Sequence, residues 1–308
     1  MLRDKSLKQQ QLECVLIDNL VPQDHLLRRI DEYIDFSFIR ELTKNLYCES
    51  NGRPAIDPEI IFKMLFIGYL FGIRSERQLV KDIEVNVAYR WFLGYSLTDK
   101  IPDDSTISQN RRRRFKDNDI SQKVFDQIVL QAMGHGLVDG KVLYTDSTHL
   151  KANANKNKFV MEQVHQSTKA YVAELEKAVD ADRELHGKNP FKKDDDNDGG
   201  NSNPPDKEIK KSTTDPESGF MVKDNKPKGF FYLDHRTVDG KHNIITDVYV
   251  TGGNVNDVDP YLDRLDEQIT KFGFKVKYVG LDAGYMTNVI CKGLEERRIK
   301  GAIAYRLG

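Results

Sequence analysis

Val142-Leu143-Tyr144-Thr145-Asp146-Ser147-Thr148 is a short apolar run that leads into a carboxylate. A second run, Val276-Lys277-Tyr278-Val279-Gly280-Leu281-Asp282-Ala283-Gly284-Tyr285, has the same form. Each reads as a β-strand with an aspartate at its exit. Strands can hold two carboxylates rigidly side by side, however far apart they lie in the chain. Such a pair repels itself unless a divalent cation sits between the oxygens. Hard oxygen ligands without a Cys or His cluster favour Mg²⁺ or Mn²⁺. Two such ions about 4 Å apart activate a nucleophile and stabilise a leaving oxygen on phosphorus. The chemistry this points to is metal-dependent phosphoryl transfer on nucleic acid. The plainer reading of each aspartate is a cap on the turn that follows its strand.

The length of 308 residues allows about two domains. Hydrophobic content of 39% with 31% charge is that of a water-soluble globular chain. A net charge of −1 decides nothing about nucleic acid, since a neutral total can hide a basic face. Cys14, Cys48 and Cys291 are scattered without a C-x-x-C pair, so neither a zinc ribbon nor a disulfide framework is suggested. A reducing cytoplasm is the compartment this fits. Ile60–Ile73 is the most apolar stretch, but Lys63 interrupts it and it is too short to span a membrane. Met1–Gln11 is charged and Gln-rich, unlike a signal peptide.

The first 135 or so residues carry a helical period. Asp57 can cap a helix that opens with Pro58, and Ser75 with Gln78 fits a capping box. Ser105 is placed to cap a helix through Phe115, and Asp119 or Ser121 to start another that ends near Gly134. The pattern then turns to short β runs, with Lys141–Thr145 the first. Residues 158–186 return to a helical period. From Gly187 to Glu217 the chain is polar and turn-rich and reads as a flexible loop. Gly229–His235 and His242–Thr251 read as a hairpin around Asp239-Gly240. A helix over Asp257–Phe272, a strand over Val276–Leu281, a helix over Asn288–Arg298 and a strand over Gly301–Tyr305 complete the order. A hairpin followed by helix-linked strands is an α/β arrangement.

Asp146-Ser147-Thr148 and Leu281-Asp282-Ala283-Gly284-Tyr285 resemble the first two acidic motifs of bacterial insertion-sequence DDE transposases. Asp104-Ser105-Thr106-Ile107-Ser108, with Arg111–Arg114 and Phe115, is similar to the helical segment before their catalytic domain. Gly52–Pro58, Leu70–Ser75 and Trp91–Gly94 resemble their N-terminal helical domain. Gly229–His235 and Gly253-Asn254-Val255-Asn256-Asp257 also fit. The resemblance spans roughly residues 10–308, and the order of the motifs carries it. It implies an RNase H-like mixed sheet with flanking helices, preceded by an all-α N-terminal domain. The boundaries are then 1–137 for a helical DNA-binding domain and 138–308 for a catalytic domain with an inserted helix and loop at about 158–217.

The resemblance further implies that Asp146 and Asp282 are catalytic and bind Mg²⁺ or Mn²⁺, on neighbouring strands of one sheet. The partner is double-stranded DNA, both element ends and target, with room for a homo-oligomer on it and no membrane; the protein would sit with the nucleoid. The family's third acid is a glutamate on a helix beyond the last strand. The chain stops at Gly308, just after Tyr305 and Arg306, so the expectation is a truncated enzyme with little turnover. Glu295 and Glu296 lie one helix too early to replace that glutamate. Asp257 is a further candidate whose plainer reading is a helix cap. Asp234, His235 and His149 lie near the strands, His235 reading as a solvated hairpin residue. Asp194–Asp198 reads as solvated spacer rather than a calcium loop. Arg111, Arg112, Arg113 and Arg114 are candidates for backbone contact, although only about two of four can face one DNA strand. Lys151, Lys156 and Lys158 are placed to track a strand near the metals. The alternatives are a metal-dependent nuclease of the same fold and a non-catalytic DNA-binding remnant.

Overall fold

The computed structural model describes residues 14–48, 55–116, 118–164, 207–222 and 228–305. The chain divides into two compact units, Met1–Gly136 and Leu137–Gly308.

All regular elements described in the first unit are helical. They are α1 (Ile17–Leu20), α2 (Leu26–Tyr33), α3 (Phe38–Thr43), α4 (Pro58–Leu70), α5 (Glu76–Val85), α6 (Val87–Phe92), α7 (Asp104–Asn110) and α8 (Ile120–Gly134). Local chemistry sets several of their starts. Asp57 accepts from the Glu59 N–H at 2.9 Å, with Pro58 in the first turn. Ser75 Oγ accepts from the Gln78 N–H. Helix α7 begins after Asp103 rather than Ser105, because Asp104 and Ser105 already lie inside its first turn. Beyond Asn110 the chain widens into a π-helical turn over Arg111–Phe115. The core is apolar. Leu27, Ile39, Met64, Ile67, Ile83 and Ile107 are fully buried, and Phe36 meets Phe66 and Phe92 edge to face. Each such side chain stabilises the unit by about 1.5–3 kcal/mol.

The second unit is a mixed sheet with helices. Its strands are β1 (Val142–Lys151), β2 (Phe159–Val164), β3 (Lys207–Ser212), β4 (Gly219–Met221), β5 (Gly229–Asp239), β6 (Ile245–Gly252), β7 (Tyr278–Leu281) and β8 (Lys300–Ile303). The helices are α9 (Tyr261–Phe272) and α10 (Asn288–Glu296). The strand order is β2-β3-β4-β5-β1-β7-β8, and β6 also pairs with β5. β1 runs antiparallel to β5 and parallel to β7, and β7 runs parallel to β8.

Register assigns the two faces. Leu143, Thr145 and Ser147 share one face with Asp239, Thr237 and His235 of β5 and with Val279 and Leu281 of β7. Leu143, Leu233, Val279 and Leu281 are buried there. Helix α9 is tied to β6 on this side through Arg264–Asp247 and through Thr246 Oγ1 to Gln268 Oε1 at 2.9 Å. The opposite face of β1 and β7 is open: Tyr144 is 51% exposed and Tyr278 47%.

Three expectations change. Phe159–Val164 is a strand, not the start of a helix, because it pairs along its length with β3, a partner far away in sequence. Long-range pairing overrides a local period. Lys207–Ser212 is accordingly strand rather than loop, while residues 213–217 form the bend and turn that follow it; residues 165–206, including Asp194–Asp198, lie outside the described residues. Strand β1 does not stop at Thr145. It continues through Asp146 to Lys151, because β5 pairs with it as far as Lys151↔Phe231.

The entry to β1 rests on one buried carboxylate. Asp239 is 0% exposed and accepts from the Gly140 N–H at 2.8 Å and the Lys241 N–H at 2.9 Å. Gly140 has φ +63°, and a Cβ there would lie 2.2 Å from Phe274 Cδ1. Asp239→Ala orphans these donors and is expected to cost about 2–4 kcal/mol in urea unfolding, at about 1–3 kcal/mol per buried unpaired group. A loss under about 0.5 kcal/mol, the range of an ordinary surface change, contradicts this role.

Candidate functional site

Parallel pairing of Val142–Thr145 with Tyr278–Leu281 ends at Thr145↔Leu281. Asp146 and Asp282 are the next residues on these two neighbouring strands, and both are exposed. Each is partly held by local backbone. Asp146 Oδ1 accepts from the Ser147 N–H at 2.7 Å, and Asp282 Oδ1 accepts from the Gly284 N–H at 2.9 Å. The turn-capping reading is met by Asp282, which caps the short turn Ala283–Tyr285, whereas Asp146 lies inside β1 and caps no turn. Oδ2 of each carboxylate has no hydrogen-bond or ion-pair partner among the described residues. Among the described residues, no three His, Cys, Asp or Glu side chains converge in a ready ligand shell. The fit to a hard dication is thus a pair of carboxylates, with water and phosphate oxygens left to complete the coordination, a common arrangement for Mg²⁺.

The cross-strand partner of Asp146 is Arg236, which shares its face. Arg236 is not spent on Asp146. Its Nε and Nη2 donate to Asp234 Oδ2 at 2.9 and 2.6 Å, while the guanidinium stays half-exposed. Asp234 is 3% exposed, so Arg236 is anchored from a buried acid beside an exposed one. Sequence reasoning missed Arg236. A lone arginine in a β run carries no signal until the register with β1 is known.

On the covered side, Tyr285 ends the short turn Ala283–Tyr285 that follows Asp282. Its side chain is 1% exposed and its hydroxyl has no hydrogen-bond partner of good geometry. Burial first, then the charges of Asp257, Asp282 and Asp146, push this phenol far above the usual tyrosine range; the Ser147 side chain works the other way. Tyr285 thus marks one point that feels all three carboxylates.

Asp257 is not a helix cap. Helix α9 starts at Tyr261 after Pro260, whose ring presets the helical φ, and Asp257 lies in the turn before it. Its Oδ1 is buried without a partner. Asp257 also lines a groove of about 680 Å³ with Asn254, Asn256, Lys210, Phe220 and Met221.

Asp234 and His235 lie in mid-strand, not at a strand end. His235 is 5% exposed rather than solvated, because β5 sits between β1 and β6. Its Nε2 lies 3.0 Å from Thr251 Oγ1. His149 is half-buried opposite Leu233. Glu295 and Glu296 are exposed at the C-terminal end of α10, about 12 Å along the helix from its start after Asp282. They are not brought to the site. Lys151, Lys156 and Lys158 are exposed after Asp146 on the same strand and its following turn.

In the helical unit the four arginines divide. Arg111 pairs with Glu76 at 3.0 Å, and Arg114 bonds Asn110 and lies 4.6 Å from the Tyr47 ring. Arg112 and Arg113 are exposed without a side-chain partner among the described residues. The apolar cleft of this unit, lined by Phe36, Phe62, Phe66, Arg111 and Arg112 among others, has no carboxylate in its walls.

Residues 15–113 match the family model of a transposase domain, DUF772. No curated protein matches the chain. Among solved structures, the piggyBac transposase in a synaptic complex with hairpin DNA is 13% identical at a TM-score of 0.36, over 90% of this chain and 49% of that one. The Mos1 transposase paired-end complex with the left transposon end is 9% identical at a TM-score of 0.24, over 92% and 69%. The Mos1 mariner paired-end complex with Mn is 10% identical at 0.24, over 92% and 70%. The chain spans about half the length of the piggyBac chain. Likenesses at these TM-scores carry no further conclusion. Among the described residues, no helix is long and apolar enough to cross a membrane.

Burial lowers the pKa of His235 below 6.5, against the opposing pull of Asp257, Asp234 and Asp247. Below about pH 6.5 the unfolded chain takes a proton that the fold refuses, so this contribution to stability falls as pH drops. In urea unfolding, the loss between pH 7.5 and 5.5 is expected to be smaller for His235→Gln than for the native chain. An identical loss contradicts the assignment.

Proposed function

We propose that this chain is a DNA transposase of the DDE type, from a bacterial insertion sequence, that cuts and joins DNA with Mg²⁺ or Mn²⁺. The observation that carries the reading is the parallel β1/β7 pairing, which puts Asp146 and Asp282 at the same level of one sheet. The transposase-domain match over residues 15–113 supports it from the other unit. Asp146 and Asp282 would hold the cation through their free oxygens. When bound, the cation supplies charge neutralisation at phosphorus and an activated hydroxyl.

The remaining roles belong to the chain itself. Arg236, fixed by Asp234 and half-exposed next to Asp146, contacts the phosphate being cut. Lys151, Lys156 and Lys158 guide the same strand away from the acids. The helical unit binds element ends, with Arg112 and Arg113 on the phosphate backbone and Arg111 and Arg114 holding the fold. A second reading, DNA binding without turnover, draws on the lack of a three-residue metal cluster among the described residues.

Asp146→Asn and Asp282→Asn each remove a charged ligand from an exposed position. Both are expected to weaken Mn²⁺ binding in calorimetry while leaving the unfolding midpoint unchanged. Native affinity in both variants removes the metal reading. If Mn²⁺ binds and end DNA is never cut, the second reading stands.

DNA binding is expected to fall steeply with salt. Arg112→Gln with Arg113→Gln should flatten the salt slope by about two charges at unchanged stability. Arg111→Gln with Arg114→Gln should lower stability more than the slope. The reverse pattern contradicts the division of roles.

A further inference from the structure

Helix α7 and the π-helical turn after it form one rod, since Asn110 and Arg111 keep helical backbone angles where the two meet. Thr106, Gln109, Asn110, Arg113 and Arg114 recur at the spacing of one helix face, and all five line a cleft of about 470 Å³. The loop before the rod adds Lys100 to the wall. Both parts of the wall are held in place. Buried Asn110 donates to the Thr106 carbonyl at 2.9 Å and accepts from Arg114, whose guanidinium also covers the Tyr47 ring. Buried Arg90 donates to the Ser96 carbonyl at 2.6 Å and the Asp99 carbonyl at 3.0 Å, which fixes the loop that carries Lys100. Asp99 accepts from the Ser96 N–H at 2.7 Å and lies outside the cleft wall. Lys100, Gln109 and Arg113 are exposed, and their side chains have no partner among the described residues. Asp103, just before the rod, is the one carboxylate among the described residues of the wall.

We propose that this cleft seats the backbone of one DNA strand, with Lys100 on one phosphate, Arg113 on the next and the Gln109 amide donating between them. The inference deepens the reading that the helical unit binds DNA, and rests on it. Charge selects an anion: two cations with free donors meet one carboxylate in the wall. Length selects a strand rather than a single anion. The seven residues from Thr106 to Arg113 rise about 10 Å, and a DNA strand carries one phosphate per roughly 3.4 Å of duplex axis. Ammonium, guanidinium and amide groups all donate to phosphate oxygens, and such contacts fix a protein on the duplex without reading its sequence. Arg114 stays on Asn110 and Tyr47 and adds its charge to the wall. Arg112 lines the apolar cleft instead, so it meets a different part of the backbone. Asp103 repels phosphate and bounds the site at the start of the rod.

The test uses the full chain and a labelled random-sequence duplex, by fluorescence anisotropy over a salt series, with urea unfolding beside it. Lys100→Gln is expected to reduce the slope of log affinity against log salt by about 0.9, and Lys100→Gln with Arg113→Gln by about twice that. Gln109→Ala should weaken binding at the native slope, because a neutral donor releases no counterion. Asp103→Asn should tighten binding. Lys81→Gln is the control, an exposed lysine of α5 outside the cleft, and should keep the native slope. All these side chains are exposed, so the urea midpoints should stay native. A native slope in Lys100→Gln, with a flattened slope in Arg112→Gln with Arg113→Gln, overturns this inference alone. An equal loss of slope in Lys81→Gln also overturns it, since any surface cation would then serve. If the native chain shows no salt-dependent binding to the duplex, the reading of the helical unit falls and this inference with it.

Discussion

Parallel pairing of β1 with β7 sets the geometry on which the second unit turns. Val142, Leu143, Tyr144 and Thr145 lie beside Tyr278, Val279, Gly280 and Leu281. Gly280 lets the Tyr144 ring lie over β7, since a Cβ there would come within 2.4 Å of the ring and displace it. The pairing buries Leu143, Val279 and Leu281 under the helices and leaves the next residue on each strand, Asp146 and Asp282, side by side in solvent. The apolar residues behind them hold the two strands together. Partners on the open side are withheld: Arg236 is next to Asp146 but is drawn to Asp234.

Below the sheet the balance is reversed. There the polar atoms are buried, and Tyr285 lies among charges rather than hydrogen-bond partners. The helical unit differs in kind. Its core is apolar and rich in aromatics, and the Arg111–Arg114 run divides between Arg111 and Arg114, which pair within the unit, and Arg112 and Arg113, which have no side-chain partner among the described residues.

Much of this is legible from the chain. The apolar runs before Asp146 and Asp282 mark their strands, and Asp57-Pro58 and Ser75 mark helix starts that the structure contains. Features set by distant pairing are not legible. Phe159–Val164 has a local helical period yet is a strand, because Lys207–Ser212 pairs with it. The burial of His235 and the position of Arg236 beside Asp146 depend on register with β1 and β6, to which a lone residue gives no clue. Asp257 has the residue type of a cap, but Pro260 takes over the helix start. Tyr285 reads in sequence as an ordinary core aromatic after a strand, and the structure buries it.

The central claim is that a divalent cation sits between the ends of the paired segments of β1 and β7. Paramagnetic broadening by Mn²⁺ in an amide-resolved NMR spectrum of the full chain tests it most directly. The account predicts that the amide signals of Asp146, Ser147, Asp282, Ala283 and Gly284 vanish first, while those of Met64 and Ile83 in the helical core stay sharp. Sharp signals at both strand ends under saturating Mn²⁺, or broadening centred elsewhere, would contradict it.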